Sequence, residues 1–342
     1  MPVKVAINGF GRIGRNYLRA ALNDPQFNKK YEIAAVNDLA DPKTLCHLLK
    51  YDSVQGVLKE EVGASDKFLF IRSKEIRVLA EKNAVTLPWK ELGVDIVVES
   101  TGLYTKKEDA ISHLQAGAKK VLVSAPCKGS VRTVVMGVNE ETYDPATDAV
   151  VSMASCTTNC LAPVAKTLED NFKIKTGFMT TTHAYTNDQK ILDLPHRDLR
   201  RARAAALSII PTTTGAAAAI GDVIPALKGK LEGISLRVPV PCGSINDLTV
   251  ELEREVTRDE VNAVVKAASQ TPRLKGILAY TEEPIVSTDV IGRSESSIFD
   301  AQLTATVGGK GTLVKTFSWY DNEWGYSNRL ADLTRYVIDR GI

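Results

Sequence analysis

Short apolar runs alternate with amphipathic segments along the first half of the chain. Val3–Asn8 is β-branched and almost free of charge, which is typical of a buried strand. Arg12–Leu22 places its apolar side chains on one stripe and predicts a helix. Strands are also predicted at residues 32–37, 94–99, 120–124 and 133–138, with a helix at 109–118. Uncharged strands that alternate with helices predict a doubly wound parallel sheet covered on both faces.

The pattern changes near residue 150, where longer runs begin to alternate apolar and polar side chains. Such runs are typical of antiparallel strands with one wetter face, and we predict them at residues 175–182, 245–253, 297–306 and 313–320. Helices are predicted at residues 157–172, 215–227, 258–269 and 324–342. The sequence therefore predicts an α/β protein, with a parallel-sheet domain over residues 1–154 and an α+β domain with a mostly antiparallel sheet over 155–314.

Length and composition narrow the class of protein. A chain of 342 residues is long enough for two domains, and 43 Lys+Arg against 41 Asp+Glu does not indicate a nucleic-acid or anionic-membrane partner. No apolar run approaches the roughly 18 residues that span a bilayer, and the first residues lack a leader pattern. Five cysteines without a CxxC pair argue for a reducing compartment, and the four histidines show no zinc-ligand spacing with them. We therefore expect a cytoplasmic, metal-free protein.

A glycine motif follows the first predicted strand and opens the first predicted helix. Residues 9–14, Gly-Phe-Gly-Arg-Ile-Gly, fit G-x-G-x-x-G, a pattern that is weak alone because glycines are common in turns. In this context the glycines permit a tight turn and the close approach of a pyrophosphate to a helix N-terminus. Asp38 ends the second strand, where a carboxylate accepts from both ribose hydroxyls and repels a 2′-phosphate, although a turn former would also fit. The sequence favours NAD over NADP.

A cysteine in a polar setting marks the start of the helix near residue 157. Cys156 lies in the hexapeptide SCTTNC, where the positive end of the helix dipole is expected to lower its pKa. Cys160 lies one turn deeper and is expected in the core, as is Cys46 in the apolar run TLCHLL. A catalytic thiol needs a base, and His183, at the end of a predicted strand, is the best-placed histidine. Spacing alone does not pair it with Cys156, and a lone histidine there is often structural.

Arginines cluster in the stretch HRDLRRARAAA, residues 196–206, and Arg237 lies on a later predicted strand. A solvated basic face is the commoner meaning of such a run. Nucleic-acid binding is disfavoured because no aromatics are interleaved and Asp193 and Asp198 dilute the charge. A small phosphate site is the third interpretation, since the arginine fork matches an anion. Residues 211–216, Pro-Thr-Thr-Thr-Gly-Ala, support it by placing hydroxyls and a glycine before a helix.

Seven segments together carry a resemblance that covers the chain essentially end to end. They are INGFGRIGR, HLLKYDS, SCTTNC, THAYTNDQ, DLRRARAAA, PTTTGAA and WYDNEWGYSNR. In this order they resemble the phosphorylating, glycolytic glyceraldehyde-3-phosphate dehydrogenases. The resemblance implies NAD-dependent oxidation of D-glyceraldehyde 3-phosphate to 1,3-bisphosphoglycerate with inorganic phosphate. It also implies a homotetramer and a Rossmann NAD-binding domain, to which a C-terminal helical segment, residues 315–342, returns.

The resemblance assigns roles to individual residues. Cys156 is implied as the nucleophile that forms a hemithioacetal and a thioester, and His183 as its base. Substrate phosphate is placed near Thr186, Asp188, Arg201 and Arg237, and inorganic phosphate near Ser155, Thr157, Thr214 and Gly215. NAD is placed against Gly9, Gly11, Arg12, Ile13, Asp38, Lys82, Ser124 and Asn322.

Two positions depart from the family pattern. Lys82 stands where arginine is usual, which weakens its assignment to the adenine side, and Ala218 replaces a usual lysine near the second helix start. Leu194-Pro195 matches the NAD-selective form of a loop that reaches a neighbouring subunit in the tetramer.

Two alternative functions stay open. The first is erythrose-4-phosphate dehydrogenase, a sister enzyme with the same thiol chemistry. Its relatives alter residues 183–188 and the TTTG stretch, which here keep the glyceraldehyde-phosphate form. The second is a non-catalytic binding protein on the same scaffold, which predicts damage to catalytic residues. Cys156, His183, Arg201 and Arg237 are all present.

Overall fold

The computed structural model describes residues 1–72 and 74–342, which divide into two compact units. Unit 1 comprises residues 1–134, 141–154 and 327–342, and unit 2 comprises residues 135–140 and 155–326. Residues 315–320, which the prediction assigned to the returning segment, instead belong to a strand of unit 2. The chain therefore re-enters unit 1 at Ser327, within the C-terminal helix. No helix formed by the described residues is long and apolar enough to cross a membrane.

Unit 1 is built around a nine-stranded sheet. Its helices are α1 Arg12–Asn23, α2 Pro42–Lys50, α3 Trp89–Leu92, α4 Lys107–Ala110 and α5 Ser112–Gln115. The strands of the sheet are β1 Val3–Asn8, β2 Tyr31–Asn37, β5 Val62–Ala64, β6 Phe68–Ile71, β7 Lys74–Leu79, β8 Ile96–Glu99, β9 Lys120–Val123, β10 Arg132–Thr133 and β11 Val150–Ser152, while β3 Tyr51–Asp52 and β4 Gly56–Val57 form a separate hairpin.

The strand order in unit 1 is β10-β11-β9-β8-β1-β2-β7-β6-β5, and all neighbours from β10 to β7 run parallel. This confirms the predicted parallel sheet. The direction of winding reverses between β1 and β8, and open parallel sheets bind ligands at the carboxyl ends of the strands at such a reversal. The strands β5, β6 and β7 were not predicted, and β6 runs antiparallel to both of the others.

Two predicted elements of the first half differ in the structure. The strand expected at 133–138 is limited to Arg132–Thr133, because residues 135–139 turn back on themselves through bonds to the Val135 carbonyl. The helix expected at 109–118 is two single-turn helices that meet at Ile111. Both segments are apolar enough to mimic a longer element, and local hydrogen bonding decides their length.

The C-terminal helix contributes its later turns to unit 1. Tyr17 and Thr334 are fully buried there, and their hydroxyls lie 3.0 Å apart. Arg335 forms an ion pair with Asp24, which caps the end of α1. A buried hydroxyl pair and an ion pair therefore tie the end of the chain to its first helix.

Unit 2 contains a seven-stranded sheet in the order β13-β14-β12-β15-β18-β17-β16, with four antiparallel and two parallel pairs. This confirms the mostly antiparallel sheet. Helix α6 packs against β15 and β17, and α8 against β16 and β17. The helices that begin in this unit are α6 Cys156–Phe172, α7 Ala216–Val223, α8 Arg258–Ser269 and α9 Trp324–Arg340. The strands are β12 Ile174–Ala184, β13 Ile210–Thr213, β14 Leu231–Val238, β15 Ser244–Thr257, β16 Leu278–Thr281, β17 Ser297–Thr306 and β18 Lys310–Tyr320.

Candidate functional site

The start of helix α6 positions a thiol. The Ser155 hydroxyl caps the helix by accepting a hydrogen bond from the Thr158 amide at 3.0 Å, so Cys156 becomes its first residue. Cys156 as a whole residue keeps part of its surface exposed, and its Sγ lies 3.4 Å from Nε2 of His183. Cys160, one turn on, is fully buried, as expected for a core residue. The structure thus brings together the two candidates that spacing alone left unpaired.

His183 is the penultimate residue of β12 and is almost fully buried. Its Nδ1 lies 2.6 Å from the Ala184 carbonyl oxygen, which can only accept a hydrogen bond. We infer that Nδ1 carries the proton, which leaves the lone pair of Nε2 facing the Cys156 thiol. Burial, reinforced by the positive charge of Arg237, lowers the pKa of His183 to about 3. The imidazole is therefore neutral and able to accept a proton.

The pKa of Cys156 departs from the expectation based on the helix start. Burial raises the pKa of the Cys156 thiol, while the Arg237 charge and hydrogen bonds from Thr157 act in the opposite direction. The predicted lowering is wrong because desolvation of the thiolate outweighs these favourable contacts. The free protein therefore holds a neutral thiol against a neutral imidazole.

Two arginines and an aspartate adjoin this pair. Nη1 of Arg237 donates to the Ala184 carbonyl at 3.1 Å and to the Thr186 hydroxyl at 3.2 Å. It lies 2.9 Å from His183 Nδ1, which donates to the same carbonyl. Arg201 forms an ion pair with Asp188, whose other carboxylate oxygen accepts from Thr186. Although burial opposes it, the Thr186 hydroxyl and both arginines hold the pKa of Asp188 below its usual value. All four residues predicted to bind substrate phosphate therefore form one connected cluster.

Support for Arg201 comes from two residues that the sequence analysis did not select. Nε of Arg201 donates to the Thr212 hydroxyl at 2.9 Å, and that hydroxyl donates to Asp198 at 2.7 Å. Thr212 belongs to the PTTTGA stretch, so a signal for it was present. Asp198 was taken only as a charge that dilutes the basic run. Its position beside Arg201 shows that it instead orients the guanidinium through Thr212.

The residues predicted for inorganic phosphate occupy two helix starts in unit 2. The Thr157 hydroxyl is buried and lies 2.9 Å from the Tyr320 hydroxyl, while Ser155 caps α6. At the start of α7 the Thr214 hydroxyl accepts from the Ala216 amide, and a Cβ on Gly215 would meet open space. Arg201 lies beside this start, since its Nη2 donates to the Thr213 carbonyl at 3.4 Å. Ala218, which replaces the usual lysine, is exposed on the first turn of α7.

Asn322 is linked to the same region of unit 2 through Ser244. The Ser244 hydroxyl donates to the Asn322 side-chain oxygen at 2.9 Å and accepts from the Ala184 amide at 3.0 Å. Ala184 also receives the Nδ1 bond of His183. The two bonds fix the Asn322 carboxamide. No motif or pattern around Ser244 indicated this role.

The glycine motif forms a tight turn at the carboxyl end of β1. Gly9 has a φ of 90°, and a Cβ there would lie 2.6 Å from the Thr101 amide nitrogen. A Cβ on Gly14 would lie 2.2 Å from the Gly9 carbonyl oxygen, whereas Gly11 faces open space at the N-cap of α1. Only glycine fits at the first and third positions, and the open side of Gly11 leaves the helix N-terminus accessible to an anion.

The other residues predicted for the cofactor lie around this turn. Asp38 follows β2, and its carboxylate accepts from the Phe10 amide at 2.9 Å, which places it beside the motif. Arg12 forms an ion pair with Asp52, Ser124 directly follows β9, and Lys82 is exposed. Ile13 lies in the first turn of α1.

Within the part of the chain that the structure describes, no group of three or more His, Cys, Asp or Glu side chains is arranged to hold a metal ion.

Comparisons with known proteins agree with this arrangement. Residues 3–107 match the sequence model of the glyceraldehyde 3-phosphate dehydrogenase NAD binding domain, and residues 155–322 match that of its C-terminal domain. The chain is 60% identical to glyceraldehyde-3-phosphate dehydrogenase of Streptomyces coelicolor, covering 98% of this chain and 99% of that protein. It is 60% identical to the enzyme of Geobacillus stearothermophilus and 57% identical to glyceraldehyde-3-phosphate dehydrogenase 1 of Bacillus subtilis, each covered in full by the whole chain. The chain therefore belongs to the glyceraldehyde-3-phosphate dehydrogenase family.

Proposed function

We propose that this protein oxidises D-glyceraldehyde 3-phosphate to 1,3-bisphosphoglycerate, with inorganic phosphate as co-substrate and NAD as hydride acceptor. The observation that carries the proposal is the 3.4 Å contact between Cys156 Sγ and His183 Nε2, beside the cationic side chains of Arg201 and Arg237. A nucleophile, a base and two anion-binding groups are the parts that thiol-dependent oxidation of a phosphorylated aldehyde requires.

Cys156 and His183 divide the covalent steps between them. His183 Nε2 takes the thiol proton as Sγ attacks the aldehyde carbon, which forms a hemithioacetal. The oxyanion of the hemithioacetal is stabilised by the Cys156 backbone N–H and the His183 imidazole. Bound NAD, held by the residues described below, would supply the hydride acceptor, and loss of hydride from the carbon would leave it as a Cys156 thioester. Phosphate oxygen then attacks the thioester, and the Cys156 sulfur leaves as a thiolate that recovers its proton. The thioester keeps the free energy of oxidation available for the acyl phosphate, which hydrolysis would lose.

The two anions of this reaction have separate supports. Arg201, Arg237 and Thr186 present donors from one connected cluster for the substrate phosphate, and Asp188 orients Arg201 within it. The helix starts at Ser155–Thr157 and Thr214–Gly215 suit inorganic phosphate, because helix N-termini favour anions. Arg201 reaches the carbonyl of Thr213 and can serve both anions.

The residues of unit 1 fit a dinucleotide. The Gly9–Gly14 turn leaves the N-terminus of α1 open for a pyrophosphate, with Arg12 and Ile13 in the first turn. Asp38 uses one oxygen for the Phe10 amide and one for the Ala40 amide, and the remaining lone pairs can accept from the adenine ribose hydroxyls. Lys82 and Ser124 complete this set in unit 1. Asn322, a residue of unit 2, keeps the role that the family resemblance implies, at the nicotinamide carboxamide. We accordingly assign NAD binding to unit 1 and catalysis to unit 2.

A homotetramer accounts for the apolar surface of unit 2. The segment around the arginine cluster exposes Ile191, Leu192, Leu194, Leu199, Leu207 and Ile209, five of them by more than 60% of their surface. Such a concentration of exposed apolar side chains indicates a protein interface.

We place the protein in the cytoplasm, where its five free thiols stay reduced.

The reaction is tested by NADH absorbance with glyceraldehyde 3-phosphate, with and without inorganic phosphate. We expect NAD- and phosphate-dependent turnover in the wild type and in Cys46→Ser, which removes a half-buried thiol in α2. Cys156→Ser is expected to abolish turnover and the acyl adduct that intact-protein mass spectrometry detects when phosphate is omitted. Retained NADH production in Cys156→Ser contradicts the mechanism. Faster, phosphate-independent oxidation of erythrose 4-phosphate by the wild type contradicts the substrate assignment.

A further inference from the structure

Three polar side chains lie side by side where β1, β2 and β8 end. Asn8 is in register with Asn37 on one side and with Glu99 on the other, and all three are buried, with Glu99 1% exposed. The winding of the sheet reverses between β1 and β8, so Asn8 and Glu99 flank the reversal. The mechanism above uses none of these residues, yet they occupy the place in the sheet where a dinucleotide binds.

Glu99 is the centre of this group. One of its carboxylate oxygens accepts from Asn8 Nδ2 at 2.6 Å and from His113 Nε2 at 2.9 Å. The other accepts from the Thr101 amide at 2.7 Å and from the Thr101 hydroxyl. A buried carboxylate is costly without such donors, so four of them from three residues hold it in one orientation.

A second layer fixes the donor on the far side of Glu99. His113 is fully buried, and Trp89 Nε1 donates to its Nδ1 at 3.1 Å. An indole N–H only donates, so Nδ1 must accept, and the imidazole proton of neutral His113 lies on Nε2, which faces Glu99. Trp89 thereby selects the tautomer that donates to the carboxylate.

The group reaches both loops that border the glycine turn. Glu99 holds Thr101 so close to Gly9 that a Cβ added to Gly9 would lie 2.6 Å from the Thr101 amide nitrogen. The Ser100 hydroxyl donates to the Gly9 carbonyl at 2.7 Å. On the other side Asn37 accepts from the Glu81 amide at 2.8 Å and donates to the Glu81 carbonyl at 2.9 Å. Residues 100–101 and 81 are therefore locked to the strand ends through side chains.

We propose that Glu99 is a positioning residue for the dinucleotide, holding residues 100–101 against Gly9 so that the turn keeps the shape that accepts the pyrophosphate and the second ribose. The proposal rests on NAD binding by unit 1 and deepens it. Under this proposal, binding of the two halves of the cofactor depends on different residues. The adenosine half depends on Asp38 beyond β2, and the half that crosses the strand reversal depends on Glu99.

Calorimetric titration of the purified protein with AMP, ADP-ribose and NAD tests this division without relying on activity. Glu99→Gln retains the size of the side chain but replaces one acceptor oxygen with a donor that faces either Thr101 or His113. We expect it to weaken ADP-ribose and NAD binding at least tenfold and to leave AMP within twofold of the wild type. Glu61→Gln, an exposed glutamate of the same unit, serves as the matched control and should bind all three ligands as the wild type does.

A pair of milder variants covers the case in which Glu99→Gln does not fold. Thr101→Val removes the hydroxyl that donates to Glu99 and accepts from the Leu103 amide, and Thr101→Ser retains it. We expect about threefold weaker ADP-ribose binding in the first and wild-type binding in the second. Equal loss for all three ligands, or no loss in Glu99→Gln and Thr101→Val, overturns the proposal. Failure of the wild type to bind NAD overturns the proposed function instead, so the two failures are distinguishable.

Discussion

Nη1 of Arg237 lies 2.9 Å from Nδ1 of His183, which sets a permanent positive charge beside the ring assigned as the catalytic base. The contact follows from the fold, because β12 and β14 run parallel and place these two residues directly in register. A cation at this distance disfavours the imidazolium. An anion bound to Arg237 would offset this charge and make His183 a stronger base, which is what the proposed function predicts for the substrate phosphate.

The first prediction follows from this charge. Arg237→Gln is expected to raise the pKa of His183 from its depressed value, because a neighbouring cation that lowers it is removed. Burial, the larger cause, remains, so the pKa stays below that of a free histidine. NMR titration of the imidazole C2 proton measures the change, with Arg203→Gln as a control, since Arg203 pairs with Asp193 on the surface. An unchanged His183 titration in Arg237→Gln contradicts the electrostatic coupling.

The second prediction concerns stability in mild acid. The folded-state pKa of His183, about 3, lies below the unfolded value near 6.5. Between these two values the unfolded chain binds a proton that the folded chain does not. The free energy of unfolding is therefore highest above pH 6.5 and falls as the pH drops from 6.5 towards 3. Below about pH 6 we expect His183 alone to cost about 1.4 kcal/mol per pH unit.

His183→Asn removes that proton site. Urea unfolding at pH 6.5, 6.0, 5.5 and 5.0 should show the free energy of unfolding falling more steeply in the wild type than in the variant. This range lies above the ordinary titration of Asp and Glu, so the carboxylates contribute little to the difference. Parallel curves for the two proteins count against a buried neutral imidazole.

Much of the fold was predictable because its elements have strong local patterns. The strand Val3–Asn8, whose single charged residue is Lys4, has the bounds that hydrophobic periodicity indicates. So has the helix Arg258–Ser269, which begins with a Thr257–Glu260 capping box. The strands β5, β6 and β7 were missed, because short, partly exposed strands have too little pattern to stand out. The predicted two-domain division named a returning C-terminal helix but began it at residue 315, whereas residues 315–320 belong to β18 and the chain re-enters unit 1 at Ser327.

The candidate site divides in the same way. Cys156 and the glycine turn were found because a helix start and a strand end dictate their surroundings locally. The contact of His183 with Arg237 depends on strand register. The support of Arg201 depends on a loop that brings Asp198 to Thr212, fourteen residues along the chain. The pKa of Cys156 was predicted in the wrong direction, because a sequence shows the helix dipole but not the depth of burial.

The third prediction tests the support of Arg201. Asp198→Asn keeps the size of the side chain but removes the charge that accepts from Thr212 and faces Arg201 at 3.7 Å. We expect KM for glyceraldehyde 3-phosphate to rise about three- to tenfold with kcat changed less than twofold. The substitution disturbs the orientation of Arg201 at the substrate phosphate and leaves Cys156 and His183 unchanged. Steady-state kinetics measure both constants. Asp193→Asn, which breaks the exposed pair with Arg203, is the matched control. A fall in kcat with KM unchanged would assign Asp198 a different role.

The last prediction concerns the choice of NAD over NADP. Asp38 lies beside the glycine turn and accepts from the Phe10 amide. We expect its charge to repel a 2′-phosphate there and its remaining lone pairs to accept from ribose hydroxyls. Asp38→Asn keeps the side-chain size and an acceptor for Phe10 while removing the charge. Its kcat/KM with NAD is expected to fall about tenfold, since hydrogen bonds to a charged group contribute roughly 1.5–3 kcal/mol. Its kcat/KM with NADP is expected to rise. Asp41→Asn, three residues on, removes a charge at the cap of α2 and should leave the ratio unchanged. If Asp38→Asn discriminates against NADP as strongly as the wild type, the carboxylate does not set the selectivity and the shape of the turn must.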